Sequence, residues 1–329
     1  MSPSPFCLPC SPLAQKCGMN LLYSLCLRKL YLVFTVFLLS GFTHGVHSST
    51  IVLVAPTDID SPAIKAIFQG IATRDKQSTL LAVENVNKTI SERAPLGDSI
   101  IVLGRSLIQQ IASAEMTSRI IGGAFYGAAN NPAGIPTLSL EPSLETVVSE
   151  IRKTGFELAR LRTVVATPAT IFTDEAYTQD AAELDVVLSP TIVAGEQNFA
   201  RAWFALLQDI DSSDEAIVIT DEKYLESSGA YRHIMEAAWK KNILVVSTLP
   251  HYSRRGVSIG YIPDLSLYGQ RLYDHLTDSR ADQLPTRSHA LWADATLLNR
   301  VFNQRTLVHI GFRLPSDLDR LNGIDLVIE

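Results

Sequence analysis

Short β-branched apolar runs punctuate this chain, each stopped by turn residues and most followed by a stretch with helical spacing. Residues 49–56 (STIVLVAP) lead into a helical pattern over 62–73, and residues 99–103 (SIIVL) meet Gly104, Arg105 and Ser106 before a helical pattern to Ala114. Residues 119–125 are apolar and 135–140 extended, and a long amphipathic helix is expected from Pro142 to about Leu161. Further strands are expected over 162–166, 185–189, 215–220, 243–247 and 257–261, with helices near 197–208 and 228–240. Apolar runs without polar alternation suit strands buried on both faces, as in a parallel sheet covered by helices. The pattern predicts an α/β chain of two lobes, each a doubly wound parallel sheet with flanking helices, with ligands gathered at the carboxyl ends of the strands. The expected divisions are a first lobe over 49–141, a second over 142–262, and a crossover and C-terminal segment over 263–329 that returns to the lobes. No Gly/Ser-rich linker is visible, so crossing strands near Glu141 and Pro263 are expected to join the lobes.

Residues 1–48 contain no Asp or Glu, place Arg28 and Lys29 before an apolar run over 30–39, and end in small and polar residues. That order of parts predicts a cleavable secretory signal peptide. The run falls short of the roughly 20 residues that a membrane-spanning helix needs. Cutting after Ser48 or after Gly45 fits the small-residue preference, Met19 offers a second start, and an uncleaved anchor is the alternative. All four cysteines (Cys7, Cys10, Cys17, Cys26) lie in this segment, so the expected exported chain has no thiol. Cys7 and Cys10 have redox or metal spacing but lack a second ligand pair. The expected location is the periplasm.

The whole chain has 28 Lys and Arg against 34 Asp and Glu; without Lys16, Arg28 and Lys29 the balance is 25 to 34, a net of −9. Such a surface gives no electrostatic footing for nucleic acid, nor for anionic membranes. Neither G-x-G-x-x-G nor G-x-x-x-x-G-K-[ST] occurs, so no glycine-rich phosphate cradle is expected, and Gly122-Gly123 is read as a turn or a close-packing site. His233, His251, His275, His289 and His309 have no metal-ligand spacing, and no nucleophile elbow is found. Asp58/Asp60 and Asp221/Glu222 are carboxylate pairs in post-strand loops, where a sugar hydrolase would place them, but such residues also cap helices and accept ligand hydrogen bonds. No catalytic residue, metal or cofactor is expected, and the chain reads as a binding protein rather than an enzyme.

Several motifs carry a family resemblance. Ile219-Thr220-Asp221 has the form of a strand-end "P-T-D", residues 241–247 (KNILVVS) of "kIPvf-s", and Arg255-Gly256-Val257 of "k-x-G-a-l". Tyr261, Pro263, Asp264 and Gly269 follow "y-g-x-D-y-x-x-l-G-r-q"; Asn303, Gly311 and Pro315 keep the spacing of "N-l-k-t-a-k-x-l-G-l-x-i-P". In the first lobe Ser61-Pro62-Ala63 stands where "H-P-a" is usual, Gly104-Arg105-Ser106 replaces "G-T-P", and residues 131–141 follow "R-P-G-G-n-v-T-G-x-S-d" loosely. With these motifs the chain resembles the substrate-binding components of ABC importers, periplasmic-binding-protein-like proteins related to tryptophan and tyrosine binders. The resemblance implies a two-lobed type I periplasmic-binding-protein-like fold and a monomer that delivers a small polar or aromatic, amino-acid-like ligand to an ABC permease in the inner membrane. A ligand sensor signalling to a membrane partner is the alternative within the same fold.

Carried over by position, the ligand-contact candidates are Ser61, Ser106, Tyr126, Glu141, Asp221 and Asp264. Each also has a plain structural reading. Ser61 and Ser106 fit helix N-caps, Asp264 fits a cap of the helix after it, and Tyr126 and Tyr224 fit surface aromatics. Arg105 suits either a ligand carboxylate or the lobe surface. Asp221, at a strand end, is the foremost candidate for a ligand ammonium or hydroxyl.

Overall fold

The computed structural model describes residues 49–111, 119–127, 134–166, 175–220, 223–278, 290–318 and 325–329. The segment 1–48, read above as an export signal, and Asp221 with Glu222 lie outside these residues.

Two sheets form the molecule. The first contains β1 (Thr50–Val54), β2 (Thr79–Ala82), β3 (Ser99–Leu103), β4 (Ile120–Gly123), β5 (Thr137–Pro142) and β11 (Ala290–Ala293), in the order β11-β5-β4-β3-β1-β2, with every pairing parallel. The second contains β6 (Arg160–Val165), β7 (Val187–Ile192), β8 (Glu215–Ile219), β9 (Val245–Ser247), β10 (Ile259–Pro263), β12 (Leu298–Asn303) and β13 (Asp325–Ile328). Its order is β13-β12-β10-β9-β8-β6-β7, and β10 with β12 is its one antiparallel pairing. The first five strands of each sheet thus follow one winding order, a repeat of topology that the sequence does not display.

Nine described helices connect the strands: α1 (Pro62–Arg74), α2 (Val86–Arg93), α3 (Arg105–Ile108), α4 (Leu144–Lys153), α5 (Glu175–Glu183), α6 (Glu196–Asp209), α7 (Ala230–Lys241), α8 (Leu265–Thr277) and α9 (Gln304–His309). The strands are apolar throughout because both faces are covered. Ile51 and Leu53 of β1 enter one core with Val86 and Ile90 of α2, while Val52 and Val54 enter another with Ile67 and Ile71 of α1. In the second sheet Ile217 and Ile219 pack under α6 and α7 through Trp203 and Ile234, and Ala216 and Val218 face the opposite way. The core containing Val52 and Val54 continues through α4 and α8 into Val218, Val246 and Ile259, so one apolar body joins the lobes.

Several boundaries depart from the sequence expectations. The helix expected to reach Leu161 ends at Lys153: Gly155 turns the backbone at φ 91°, and Phe156, Leu158 and Leu161 are then buried along the approach to and start of β6. The helix after β3, expected to run to Ala114, is the single turn of α3, whose last residue is Ile108. The strand expected over 257–261 lies two residues later, at Ile259–Pro263.

Glycines allow two close approaches. Gly122 and Gly123 are inside β4, where a methyl would stand 2.9 Å from Ile108 and from Leu272, so of the two readings this pair serves close packing. Gly70 of α1 and Gly269 of α8 bring those helices into backbone contact; a methyl on either would meet the other helix's carbonyl oxygen at 1.9 and 2.0 Å, respectively. This contact seats α8, which follows a strand of the second sheet, on the first lobe. A buried ion cluster secures the chain's last strand: Arg300 of β12 reaches Asp325 of β13 at 2.7 Å and Glu150 of α4 at 3.1 Å.

Candidate functional site

In a doubly wound sheet the strand order reverses at one point, and the loops beyond the carboxyl ends there diverge and leave a crevice. The first lobe has that point between β1 and β3, followed by residues 55–61 and 104–106. The second has it between β6 and β8, followed by Ala166 and Thr220. Ser61 and Ser106 are the candidates at the first of these points; Asp221, which follows Thr220 in the chain, is not among the described residues.

The carboxyl ends of the two sheets meet. Glu141, near the end of β5, is 1% exposed, and its Oε1 accepts a hydrogen bond from Thr248 Oγ1 at 2.8 Å. Thr248 directly follows β9, and its backbone N–H donates to Ile219 O at 3.1 Å, so this bond ties the first lobe's crossing strand to the centre of the second sheet. Tyr177 of α5 approaches the same place: its hydroxyl donates to Pro142 O at 3.3 Å and its ring meets Trp292 of β11 edge-on at 5.4 Å. Burial, then the neighbouring Glu141 carboxylate, pushes the Tyr177 phenol well above its ordinary pKa, so it stays protonated as a donor. Thr163 and Thr220, on β6 and just beyond β8, have buried hydroxyls with no partner among the described residues.

Tyr126 follows β4 and is half-buried, packing against the core shared by both lobes and against the outer core of the second. Its carbonyl accepts a hydrogen bond from the Arg105 guanidinium, which joins the loops after β3 and β4 and lays Arg105 across the first lobe's strand ends. Behind this pair, Tyr268 of α8 accepts from Ala124 N at 2.9 Å and donates to Leu138 O, fixing the turn into Tyr126. Burial raises the Tyr268 phenol's pKa too, and keeps it protonated for that donation.

The remaining candidates occupy simpler positions. Ser61 precedes α1 and is half-buried; its hydroxyl makes no capping bond. Ser106 is exposed on the single turn of α3. Asp264 caps α8, its Oδ1 accepting from Leu267 N at 2.9 Å while its own N–H donates to Leu297 O at 2.9 Å. Tyr224 is half-buried, edge-on to Phe199 at 5.8 Å. Sequence reasoning passed over Thr248, Tyr177 and Thr163. Thr248 had a usable signal, a hydroxyl residue at the first position beyond a buried strand. Tyr177 and Thr163 had none, because only the fold places the one beside Glu141 and buries the hydroxyl of the other.

Among the described residues no group of His, Cys, Asp and Glu is arranged to hold a metal ion, and no helix is long and apolar enough to cross a membrane.

No family model matches the chain, and neither does any curated protein. Solved structures do. The ligand-free, open structure of a substrate-binding protein with adhesive properties from Clostridium difficile superposes with a TM-score of 0.54 at 12% identity, over 85% of this chain and 98% of that one. An ABC domain in complex with L-Trp from Streptococcus pneumonia gives 0.49 at 12% identity, over 86% and 99%. A LacI transcriptional regulator from Lactobacillus brevis gives 0.45 at 11% identity, over 75% and 98%. The architecture is therefore that of the two-lobed periplasmic-binding-protein-like fold, with two parallel sheets flanked by helices.

Proposed function

We propose that this chain is a periplasmic solute-binding protein that captures a small polar or aromatic, amino-acid-like molecule between its lobes and delivers it to an ABC import permease. The observation that carries the reading is the meeting of the two sheets' carboxyl ends at Glu141, Thr248 and Tyr126, with a switch point of each lobe beside it. Such crevices offer backbone donors for an anionic group and side chains for an apolar one. In this reading Ser61, Ser106, Tyr126 and Asp221 touch the ligand. Glu141 and Asp264, whose carboxylates are engaged by Thr248 and by the start of α8, hold the frame around it. Closure of one lobe on the other would bury the ligand and give the permease a changed surface to recognise.

The test is thermal unfolding of the purified protein against a panel of amino acids, small aromatics, nucleosides and sugars. A ligand at about 100 times its Kd stabilises by about 2.7 kcal/mol. One member of the panel should raise the midpoint, and Asp221→Ala should abolish that rise. A panel that leaves the midpoint unmoved overturns ligand capture; a hit that cells import equally well without this protein overturns delivery.

A further inference from the structure

The second lobe carries a groove of about 720 Å³ that runs along α7, bounded by Arg255-Gly256 and by the corner from β12 into α9. Asn303 closes β12 beside the start of β10, its N–H donating to Ser258 O at 3.1 Å. This end of the groove therefore lies at the amino-terminal edge of β10, opposite the strand ends that form the candidate site.

The groove has a prepared aromatic anchor. Tyr231, Met235 and Trp239 are spaced four residues apart on α7 and so lie along one side of it. Trp239 is 41% exposed although two α9 side chains hold it. The His309 ring stacks on the indole at 3.6 Å, with its Nε2 2.9 Å from Trp239 O, and the Arg305 guanidinium lies 5.5 Å from the ring centroid. A ring already fixed in place costs little further ordering when a partner arrives.

Charge selects the occupant. Arg232, Lys240, Arg255 and Arg305 line the groove against Glu236 and Glu329, on a chain whose net charge is −6. Arg232 is paired with Glu236 at 2.8 Å and Arg255 with Glu226, whereas Lys240 and Arg305 have no carboxylate within 4.0 Å among the described residues. Trp, Tyr, Met and Arg are the residue types that concentrate in interface cores, and arginine-lined surfaces recurrently receive acidic motifs.

We propose that this groove docks an acidic linear segment of a partner protein, with one bulky apolar residue against Trp239 and Met235 and its flanking carboxylates on Arg305 and Lys240. The proposal does not depend on what the cleft between the lobes binds.

The test is fluorescence anisotropy with a fluorescein-labelled peptide, Glu-Asp-Leu-Phe-Asp-Glu, titrated with the full chain. Saturable binding is expected below about 1 mM. It should weaken about tenfold or more in Trp239→Ala and Arg305→Glu, and when the peptide's acids are replaced by their amides. Lys240→Glu, at an exposed helix end, should weaken it too, whereas Lys65→Glu, the same charge change on the other lobe, should not. Circular dichroism of each variant separates lost docking from lost folding, and Lys240→Glu keeps the test open if Trp239→Ala unfolds. No binding by about 1 mM, equal binding of the amide peptide, or indifference to both Arg305→Glu and Lys240→Glu overturns the proposal. It is also overturned if the groove variants abolish only self-association of the chain or only adsorption to anionic phosphatidylserine vesicles.

Discussion

Replacing Gly269 by alanine would test how the first lobe is held to the strand that enters it. A methyl at that position would stand 2.0 Å from Ile67 O, 2.9 Å from its carbonyl carbon and 3.2 Å from its Cα. Real methyl groups do not come within 3.0 Å of such atoms, so α1 and α8 would have to part by about 1 Å. The obstacle is backbone, and the reciprocal contact of Gly70 with Ser266 O limits sliding the other way. Overpacking of this kind costs about 1–3 kcal/mol and occasionally more. The gain in helix propensity on replacing glycine by alanine offsets at most about 1 kcal/mol. A net loss of about 2 kcal/mol is expected, which lowers the unfolding midpoint by about 3 °C for a chain of this size. Far-UV circular dichroism on heating measures it. The functional consequence follows from Tyr268, the residue before it, whose hydroxyl holds Ala124 and Leu138. Displacing α8 loosens the turn into Tyr126, so binding of any cleft ligand should weaken along with stability. An unchanged or raised midpoint in Gly269→Ala, the outcome expected of an ordinary surface helix, would refute the close-packing argument.

Two further perturbations probe the junction of the lobes and the helix beside it. Glu141→Ala removes a charged acceptor from the buried Thr248 hydroxyl and should cost about 1.5–3 kcal/mol in urea unfolding, while Glu141→Gln, which keeps an acceptor oxygen, should lose less; equal losses would contradict the assigned bond. His275 on α8 has its pKa pushed below 6.5 by burial first and by Arg271 second. The unfolded chain therefore takes up the proton at a higher pH than the folded one, and stability should fall as the pH drops through about 6.5. His275→Gln should flatten that part of the urea-midpoint profile between about pH 7 and pH 5, and an identical slope in the variant would rule out His275 as its source.

The sequence made the strands of the sheet centres legible, because a strand buried on both faces must be apolar along its length: STIVLVAP, SIIVL and EAIVIT became β1, β3 and β8. The two edge strands of the first sheet escaped. The four residues of β2, TLLA, and β11, ALWA, do not meet that demand, and nothing local marks their pairing. The end of α4 was misplaced because Phe156, Leu158 and Leu161 fit an amphipathic helix as readily as an extended entry; Gly155 decided between them.

For the candidate site, the chain alone determined which residues follow the carboxyl ends of strands, since each buried run has a readable end and a loop after it. Ser61, Ser106, Tyr126, Glu141, Asp221 and Asp264 were placed on that frame by the family resemblance, position by position. Only the tertiary structure decided the distant partners: Glu141 bonds to Thr248, 107 residues away, and Tyr268 holds a turn 144 residues earlier, whereas the cap that Asp264 places on α8 is local and was one of its two readings. The physical reason is that local pattern encodes the burial of a segment, which depends on its own side chains. A contact between segments depends on strand order and crossover, and here it is set by glycines and buried hydroxyls that carry no periodic signal.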